Sequence, residues 1–371
     1  MTLKIAINGF GRIGRSILRS VIEYNHHDIE IVAINDLTEI KTIVHLLKYD
    51  SVHGRFNGIV EAVDGGININ NNFIRITALR EPEKLPWSDV QIAMECTGFF
   101  TKKSEASKLL LAGADKVLIS APGTDVDKTI VYGVNENTLK SNDLIVSNGS
   151  CTTNCLAPIA KVLNDLAGIK SGYMTTIHAY TGDQALHDGD HKDLYRARAA
   201  SLSMIPTSTG AARAISLVLP ELTGKLEGSA IRVPTPNVSL VDLSYIPNRS
   251  VSVEEIDASL KAASEGRMNG ILNFETEPKV SIDYNHTTTS SNYAQPQTAV
   301  TDGGLVRVVS WYDNEWGFSN RMIDTAKVMA NIPTVTIWWC IVAAIITIPR
   351  VTKAQNMRDL MIKISGMLPC W

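Results

Sequence analysis

The sequence lacks the features that mark several classes of protein. Its formal net charge is −3 over 371 residues, so no basic excess points to nucleic acid as a partner. It has five cysteines, an odd number without metal-ligand spacing, which argues against a disulfide framework and against a metal site. The first apolar segment begins at Leu3, so no secretory signal is expected. Together these absences favour a protein of the reducing cytoplasm.

A glycine-rich turn is the first informative feature that is present. An apolar run over residues 3–8 predicts a strand, Gly9-x-Gly11-x-x-Gly14 follows it directly, and a helical pattern comes next. Gly9 permits a tight turn, Gly11 lets a pyrophosphate approach the backbone, and Gly14 allows close packing of helix on strand. Asp36 follows the next predicted strand, where a carboxylate accepts bonds from a ribose hydroxyl and repels a 2′-phosphate. The pattern predicts a dinucleotide site that prefers NAD to NADP.

The segment SCTTNC at residues 150–155 points to nucleophilic chemistry. Cys151 lies where an apolar strand pattern gives way to a helical one. A helix N-terminus offers free backbone N–H groups and a partial positive charge, which favour a thiolate and stabilise an oxyanion. His178, near the end of another predicted strand, is the candidate base. The alternative is that Cys151 is a buried structural cysteine. The polar residues around it favour a catalytic thiol instead.

With these motifs, the chain resembles the phosphorylating glyceraldehyde-3-phosphate dehydrogenases over about residues 1–330. The resembling segments run in the family's order at residues 8–15, 150–155, 178–181, 207–212, 232–237 and 311–315. The resemblance implies NAD as cofactor and glyceraldehyde 3-phosphate and inorganic phosphate as substrates. It also implies 1,3-bisphosphoglycerate as the product, a place in glycolysis or gluconeogenesis, and a homotetramer.

The resemblance also implies roles for single residues. Cys151 is implied as the nucleophile and His178 as the base, acting through a hemithioacetal and a thioester. One implied anion site uses Thr181 and Arg232, and the other uses Arg198 beside Ser150 and the predicted helix start at 209–210. The candidate substrate- and phosphate-binding residues are Ser150, Thr152, Thr181, Arg198, Thr209, Gly210 and Arg232. The candidate cofactor-binding residues are Gly9, Gly11, Arg12, Ile13, Gly14, Asp36, Arg80, Thr97, Ser120 and Asn314, the last for the nicotinamide carboxamide.

Alternating strand and helix patterns predict the fold class. We expect an α/β protein in which residues 1–150 form a doubly wound parallel-sheet dinucleotide-binding domain. Longer alternating runs after about residue 171, such as 229–246 and 304–312, predict a second, α+β catalytic domain over 151–316, largely antiparallel. Helices are expected in it near 210–219 and 253–265. A helix over 317–330 is expected to return to the first domain if the resemblance holds.

Residues 331–371 form an atypical apolar extension, because the family usually ends near Ala330. An uncharged run at 332–349 is too short for a comfortable membrane span, which needs roughly 20 residues. Three interpretations stay open: a non-native read-through, a tail packed on the oligomer or a neighbour, and a membrane anchor, the least favoured. Two other functions also stay open, namely an erythrose-4-phosphate dehydrogenase and a non-catalytic binding protein on the same fold.

Overall fold

The computed structural model describes residues 2–333, so most of the extension predicted at 331–371 lies outside the described residues. The helices are α1 (Arg12–Glu23), α2 (Ile40–Lys48), α3 (Lys103–Leu111), α4 (Cys151–Ala167), α5 (Ala211–Val218), α6 (Val253–Glu265) and α7 (Trp316–Asn331). No helix among residues 2–333 is long and apolar enough to cross a membrane.

The first half of the chain builds a nine-stranded sheet. Its strands are β1 (Leu3–Asn8), β2 (Ile29–Asn35), β5 (Val60–Val63), β6 (Gly66–Ile69), β7 (Asn72–Thr77), β8 (Ile92–Glu95), β9 (Lys116–Ile119), β10 (Lys128–Thr129) and β11 (Ile145–Ser147), while β3 (Tyr49–Asp50) and β4 (Gly54–Arg55) form a separate pair. The strand order is β10-β11-β9-β8-β1-β2-β7-β6-β5, parallel except at the β5–β6–β7 meander. The chain leaves β1 for β2 on one side and returns to β8 on the other, so a crevice opens at the carboxyl ends of β1 and β8.

The second half builds a mixed sheet of eight strands. They are β12 (Ile169–Ala179), β13 (Ile205–Ser208), β14 (Leu226–Val233), β15 (Ser239–Pro247), β16 (Leu272–Glu275), β17 (Ser291–Ala294), β18 (Ala299–Val300) and β19 (Val306–Tyr312). The order is β13-β14-β12-β15-β19-β17-β16, with β18 also on β19. Most neighbours are antiparallel, but β12 pairs with β14, and β16 with β17, in parallel. Helices α4, α5 and α6 contribute to one core with this sheet.

Helix α7 packs against the first sheet although it is the last described element. Its side chains Phe318, Met322 and Ile323 lie in the same buried cluster as Ile17 and Leu18 of α1. This packing places the start of α7 beside the turn that follows β1. The residues just before α7 therefore reach the crevice from the side of the second sheet.

The structure confirms the α/β fold class and most predicted elements, but not all of them. The sequence patterns did not identify the β5–β6 hairpin, which turns at Gly65 with φ of +72°. The run predicted as one alternating segment over 229–246 divides into β14 and β15. Helices α5 and α6 occur where the periodicity placed them.

Candidate active site

The turn between β1 and α1 has the geometry of a phosphate-binding loop. Gly9 has φ of +92°, and a Cβ there would lie 2.6 Å from the backbone nitrogen of Thr97. A Cβ at Gly14 would lie 2.3 Å from the carbonyl oxygen of Gly9. Gly11, the residue before α1, has open space around it and offers no side-chain cap, so the N–H groups of the first helical turn face the crevice.

A first cleft of about 480 Å³ extends from this turn along the carboxyl ends of the strands. Asp36 lies in its wall, where the carboxylate accepts bonds from the backbone N–H of Phe10 (2.6 Å) and of Thr38 (2.9 Å). These bonds hold Asp36 at the mouth of the cleft, beside the glycine turn. The predicted cofactor residues that line this cleft are Gly9, Gly11, Asp36, Arg80 and Thr97.

A second cleft of about 280 Å³ is lined by the two candidate catalytic residues, Cys151 and His178. It lies where the start of α4, the end of β12 and the segment before α7 converge. The structure brings together here predicted residues from both halves of the chain, namely Arg12, Ile13, Ser120, Ser150, Cys151, His178, Thr181 and Asn314. The two candidate catalytic side chains therefore share one cleft with four candidate cofactor residues.

Cys151 is the first residue of α4, and Ser150 caps the helix. The Ser150 hydroxyl accepts a bond from the backbone N–H of Thr153 at 3.0 Å. Sγ of Cys151 lies 3.5 Å from Nε2 of His178, within reach for proton transfer. Burial raises the pKa of the Cys151 thiol, although the charge of Arg232 acts in the opposite direction.

His178 is held through its Nδ1 atom. Nδ1 lies 2.7 Å from the carbonyl oxygen of Ala179, which only accepts a hydrogen bond, and 2.8 Å from Nη1 of Arg232, which only donates one. Nε2 is the ring nitrogen that faces Cys151. Burial, and secondly the charge of Arg232, lower the pKa of His178 to about 3, so the ring is neutral at physiological pH. Nη1 of Arg232 donates to the same carbonyl oxygen at 3.0 Å.

Tyr312 belongs to the site but was not among the predicted site residues. Its buried hydroxyl lies between Oγ1 of Thr152 at 2.9 Å and Oγ1 of Thr176 at 2.8 Å. Its ring meets the ring of His178 edge to face, with centroids 5.9 Å apart. Tyr312 thereby connects the first turn of α4 to β12 and supports the imidazole. The only sequence signal was its position two residues before Asn314 in a recognised segment.

Asn314 is oriented by a short chain of hydrogen bonds. The Ser239 hydroxyl accepts from the backbone N–H of Ala179 at 3.0 Å and donates to Oδ1 of Asn314 at 2.8 Å. The carboxamide oxygen of Asn314 is thus engaged, which leaves its NH₂ group to face the cleft. An amide donor in this place can bind a carbonyl oxygen of a ligand.

The structure does not bring Arg198 into the site. Its Nε donates to a carboxylate oxygen of Asp188 at 2.9 Å, and its side chain is 66% exposed. Arg196 lies nearer the chemistry: it bonds Oγ1 of Thr207 (3.0 Å), its side chain is 21% exposed, and its charge contributes to the lowered pKa of His178. Among the cations of this segment, the structure therefore favours Arg196 over the predicted Arg198.

Thr209 and Gly210 stand at the start of α5, as the sequence predicted. Gly210 precedes the first helical residue, and Oγ1 of Thr209 accepts from the backbone N–H of Ala211 at 3.2 Å.

Cys155, one turn into α4, is fully buried among Ser291 and Ser310, and burial raises its pKa to about 12. Within residues 2–333, no group of three or more histidine, cysteine, aspartate or glutamate side chains could hold a metal ion.

The crevice and the cysteine–histidine pair are those of an NAD-dependent dehydrogenase that works through a thiol. Residues 3–103 match the NAD-binding domain of glyceraldehyde 3-phosphate dehydrogenase, and residues 150–314 match the C-terminal domain of the same enzyme. The glyceraldehyde-3-phosphate dehydrogenase of Cereibacter sphaeroides is 58% identical over 332 residues, which cover 90% of this chain and 100% of that protein. Glyceraldehyde-3-phosphate dehydrogenase 1 of Bacillus subtilis is 54% identical over 334 residues, which cover 89% of this chain and 99% of that protein. The chain belongs to the glyceraldehyde-3-phosphate dehydrogenase family, and NAD is confirmed as its cofactor.

Proposed function

We propose that this protein oxidises glyceraldehyde 3-phosphate to 1,3-bisphosphoglycerate with NAD and inorganic phosphate. The observation that carries the proposal is the 3.5 Å approach of the Cys151 sulfur to Nε2 of the neutral His178 ring, in the cleft that also contains Asn314. A thiol beside a neutral base can add to an aldehyde and then carry the acyl group. The family relatives named above carry the same activity in their names.

The chemistry assigned to this chain's residues follows from the geometry. The Cys151 thiol adds to the aldehyde carbon, so a C–S bond forms and the thiol proton passes through His178 to the former carbonyl oxygen. His178 then takes that hydroxyl proton while hydride leaves the carbon, and a thioester results. Bound NAD supplies the hydride acceptor. An oxygen of inorganic phosphate attacks the thioester carbon, the C–S bond breaks, and the sulfur recovers a proton from His178.

Two anion sites serve this sequence of steps. Arg232 and Thr181, on the His178 side of the cleft, suit the phosphate of the aldehyde. Ser150 and the start of α5 at Thr209 and Gly210 suit the attacking phosphate, because helix N-termini bind anions. We assign the cation of this second site to Arg196 in place of Arg198.

The cofactor residues divide between the two clefts. Gly9, Gly11 and Asp36 suit the pyrophosphate and the adenosine ribose, with Arg80 and Thr97 in the same wall. The second cleft, on the nicotinamide side, is lined by Arg12, Ile13, Ser120 and Asn314. The open space at Gly11 supports this arrangement, because a Cβ at that position would occupy the approach of the phosphates.

We assign a homotetramer in the cytoplasm. Self-association is supported by the face of the second sheet that lies opposite α4. A cavity of about 190 Å³ on that face is lined by the partly exposed Ile177, Leu240 and Trp311, and the charged residues Asp242, Glu277, Lys279 and Arg307 also line it. Apolar and aromatic side chains in such a patch suit contact with another copy of the chain. Light scattering coupled to size-exclusion chromatography measures the subunit number.

The deciding experiment follows NADH absorbance with the full chain. Glyceraldehyde 3-phosphate, NAD and phosphate should together give turnover, and omission of any one should abolish sustained turnover. Erythrose 4-phosphate is the competing substrate and should give the lower kcat/KM. A higher kcat/KM for erythrose 4-phosphate would replace the substrate assignment. Absence of turnover on both aldehydes would instead indicate a binding protein.

A further inference from the structure

A row of buried polar side chains lies beneath the first cleft, and none of them was among the predicted site residues. Asn8, Asn35 and Glu95 are the last residues of β1, β2 and β8, three neighbouring parallel strands. In the register of the sheet, Asn8 lies beside Asn35 on one side and beside Glu95 on the other. The three residues are at most 5% exposed, and Asn8 and Asn35 also line the first cleft. The row therefore forms part of the floor of that cleft.

The hydrogen bonds of the row run in a fixed direction. At one end, Oδ1 of Asn35 accepts from the backbone N–H of Leu79 at 2.9 Å, and Nδ2 of Asn35 donates to the carbonyl oxygen of Leu79 at 2.9 Å. A backbone N–H only donates and a carbonyl oxygen only accepts, so Leu79 determines the orientation of the Asn35 amide. Nδ2 of Asn35 also donates to Oδ1 of Asn8 at 2.8 Å. This leaves Nδ2 of Asn8 to donate to Oε2 of Glu95, at 2.6 Å.

Glu95 ends the row with a donor group on each side. Its Oε2 faces Asn8, and its Oε1 accepts from the backbone N–H of Thr97 at 2.7 Å and from the Thr97 hydroxyl. Both oxygens must therefore accept, which a carboxylate can do and a glutamine amide cannot. Burial raises the pKa of Glu95 to about 7, although the hydrogen bonds from Thr97 and Asn8 act in the opposite direction. The chain thus retains a carboxyl group that is costly to bury, at the one position of the row that needs two acceptors.

We propose that Glu95 is a positioning residue for NAD. Through the row it fixes Thr97 and Leu79, the two residues at its ends, which both line the first cleft. The inference rests on the proposed assignment of that cleft to the pyrophosphate and adenosine part of NAD. Thr97 follows β8 and Leu79 follows β7, and β1 and β2 lie between those two strands, so the row connects segments that are not neighbours in the sheet.

Loss of the carboxylate disturbs both ends of the row. In Glu95→Gln, two donor groups face each other beside β8, unless the amide of Asn8 turns over. If that amide turns, the mismatch moves to Asn35 and from there to the backbone of Leu79. The cleft therefore loses a hydrogen bond at one end or the other. None of the three row residues lines the second cleft, so the chemistry there is left in place.

The first test compares Glu95→Gln with wild type and with the matched control Glu275→Gln. Glu275 is also a buried glutamate at the end of a strand, β16, and its Oε1 also accepts from the backbone N–H two residues ahead, that of Glu277, at 3.1 Å. Calorimetry in mildly alkaline buffer, where Glu95 is ionised, measures the Kd for NAD and for ADP-ribose. For Glu95→Gln we expect both to rise on the order of tenfold, the factor for one lost hydrogen bond to a charged group.

The two ligands and the rate locate the defect. ADP-ribose lacks the nicotinamide, so an equal factor for both ligands assigns the loss to the first cleft. The kcat of Glu95→Gln at saturating NAD should stay within about twofold of wild type. Glu275→Gln should change none of these constants.

A compensating pair of substitutions separates a defect of the row from a general loss of stability. Asn8→Asp alone sets a second carboxylate against Glu95 and should also weaken NAD binding. In the double variant with Glu95→Gln, the new carboxylate on β1 accepts from Asn35 and from the new amide on β8, whose oxygen still accepts from Thr97. Every donor again meets an acceptor and the total charge is that of wild type. The Kd for NAD should therefore return to within about threefold of wild type.

Hydrogen exchange in the wild-type protein does not depend on a variant folding. The backbone N–H groups of Thr97 and Leu79 donate to side chains of the row, so both should exchange slowly in the cofactor-free protein. In Glu95→Gln the exchange should become faster at Leu79 as well as at Thr97, although the partner of Leu79 is Asn35. Mass spectrometry of peptides that contain each residue measures both rates.

The outcomes separate this inference from the assignment on which it rests. An unchanged Kd for NAD in Glu95→Gln, with Asp36→Ala weakening NAD, overturns the positioning role alone. An unchanged Kd in both Asp36→Ala and Thr97→Ala overturns the assignment of the first cleft to the cofactor. A double variant as weak as the worse single variant, or fast exchange at Thr97 and Leu79 in wild type, overturns the directional row. If Glu95→Gln does not fold, the double variant and the wild-type exchange rates decide.

Discussion

Replacing Arg196 tests the assignment of the second anion site most directly. Arg196→Leu removes a cation that is only 21% exposed and that bonds Oγ1 of Thr207 at 3.0 Å. A charge-assisted bond to a bound anion contributes about 1.5–3 kcal/mol, so the KM for inorganic phosphate should rise roughly 10- to 150-fold. Arg198→Leu removes a side chain that is 66% exposed, in a surface pair with Asp188. Such pairs contribute about 0–1 kcal/mol, so its KM should change less than about fivefold.

The assay is the initial rate of NADH formation at fixed aldehyde and NAD with phosphate varied. Arg196→Leu also leaves Asp183 without the partner it has at 2.6 Å, so the melting temperature must be measured beside the rate. Arg196→Lys keeps the charge and should recover part of the affinity, which a purely structural role would not predict. If Arg198→Leu raises the KM for phosphate more than Arg196→Leu does, the structural assignment is wrong and the family-based prediction of Arg198 is right.

Three further predictions concern the nucleophile, the base and the cofactor. Cys151→Ser should abolish acyl-enzyme formation seen by mass spectrometry, while Cys155→Ser should keep much of the activity; equal loss from both would contradict a single nucleophile. His178→Asn should lower kcat by about 10²–10⁴ in steady-state assays, and an unchanged kcat would exclude it as the base. Asp36→Ala, alone or with Leu37→Arg, should weaken NAD binding and raise the kcat/KM with NADP relative to that with NAD. A wild-type preference for NADP would refute the role predicted for Asp36.

The parts of the site that the sequence predicted are those encoded by short segments. The spacing of Gly9, Gly11 and Gly14 after an apolar strand determines a turn, and the structure shows the close backbone contacts that require glycine at Gly9 and Gly14. Cys151 at the start of α4 and His178 near the end of β12 follow from local patterns in the same way. Their 3.5 Å approach depends on how α4 packs against the second sheet, which no local pattern encodes, although the pairing of Cys151 with His178 was predicted from their residue types.

The parts that the sequence did not predict depend on tertiary contacts. The different placements of Arg196 and Arg198 depend on the carboxylates of Asp183 and Asp188, which pair with one each. Burial by the whole site raises the pKa of the Cys151 thiol, and no short segment of the sequence encodes that burial. The β5–β6 hairpin is a different case, since its turn at Asp64-Gly65 is a dipeptide that favours hairpin turns in the sequence itself.

The position of α7 has a consequence for how the protein is made. The N-terminal sheet is synthesised through Ser147, but the helix that supplies Phe318, Met322 and Ile323 to its core ends only at Asn331. At ribosomal rates of about 5–20 residues per second, the nascent sheet waits roughly 10–40 s for that helix. During this interval the apolar surface of α1 lacks its final covering. The core of the N-terminal half is therefore completed only after the second half of the chain has been synthesised.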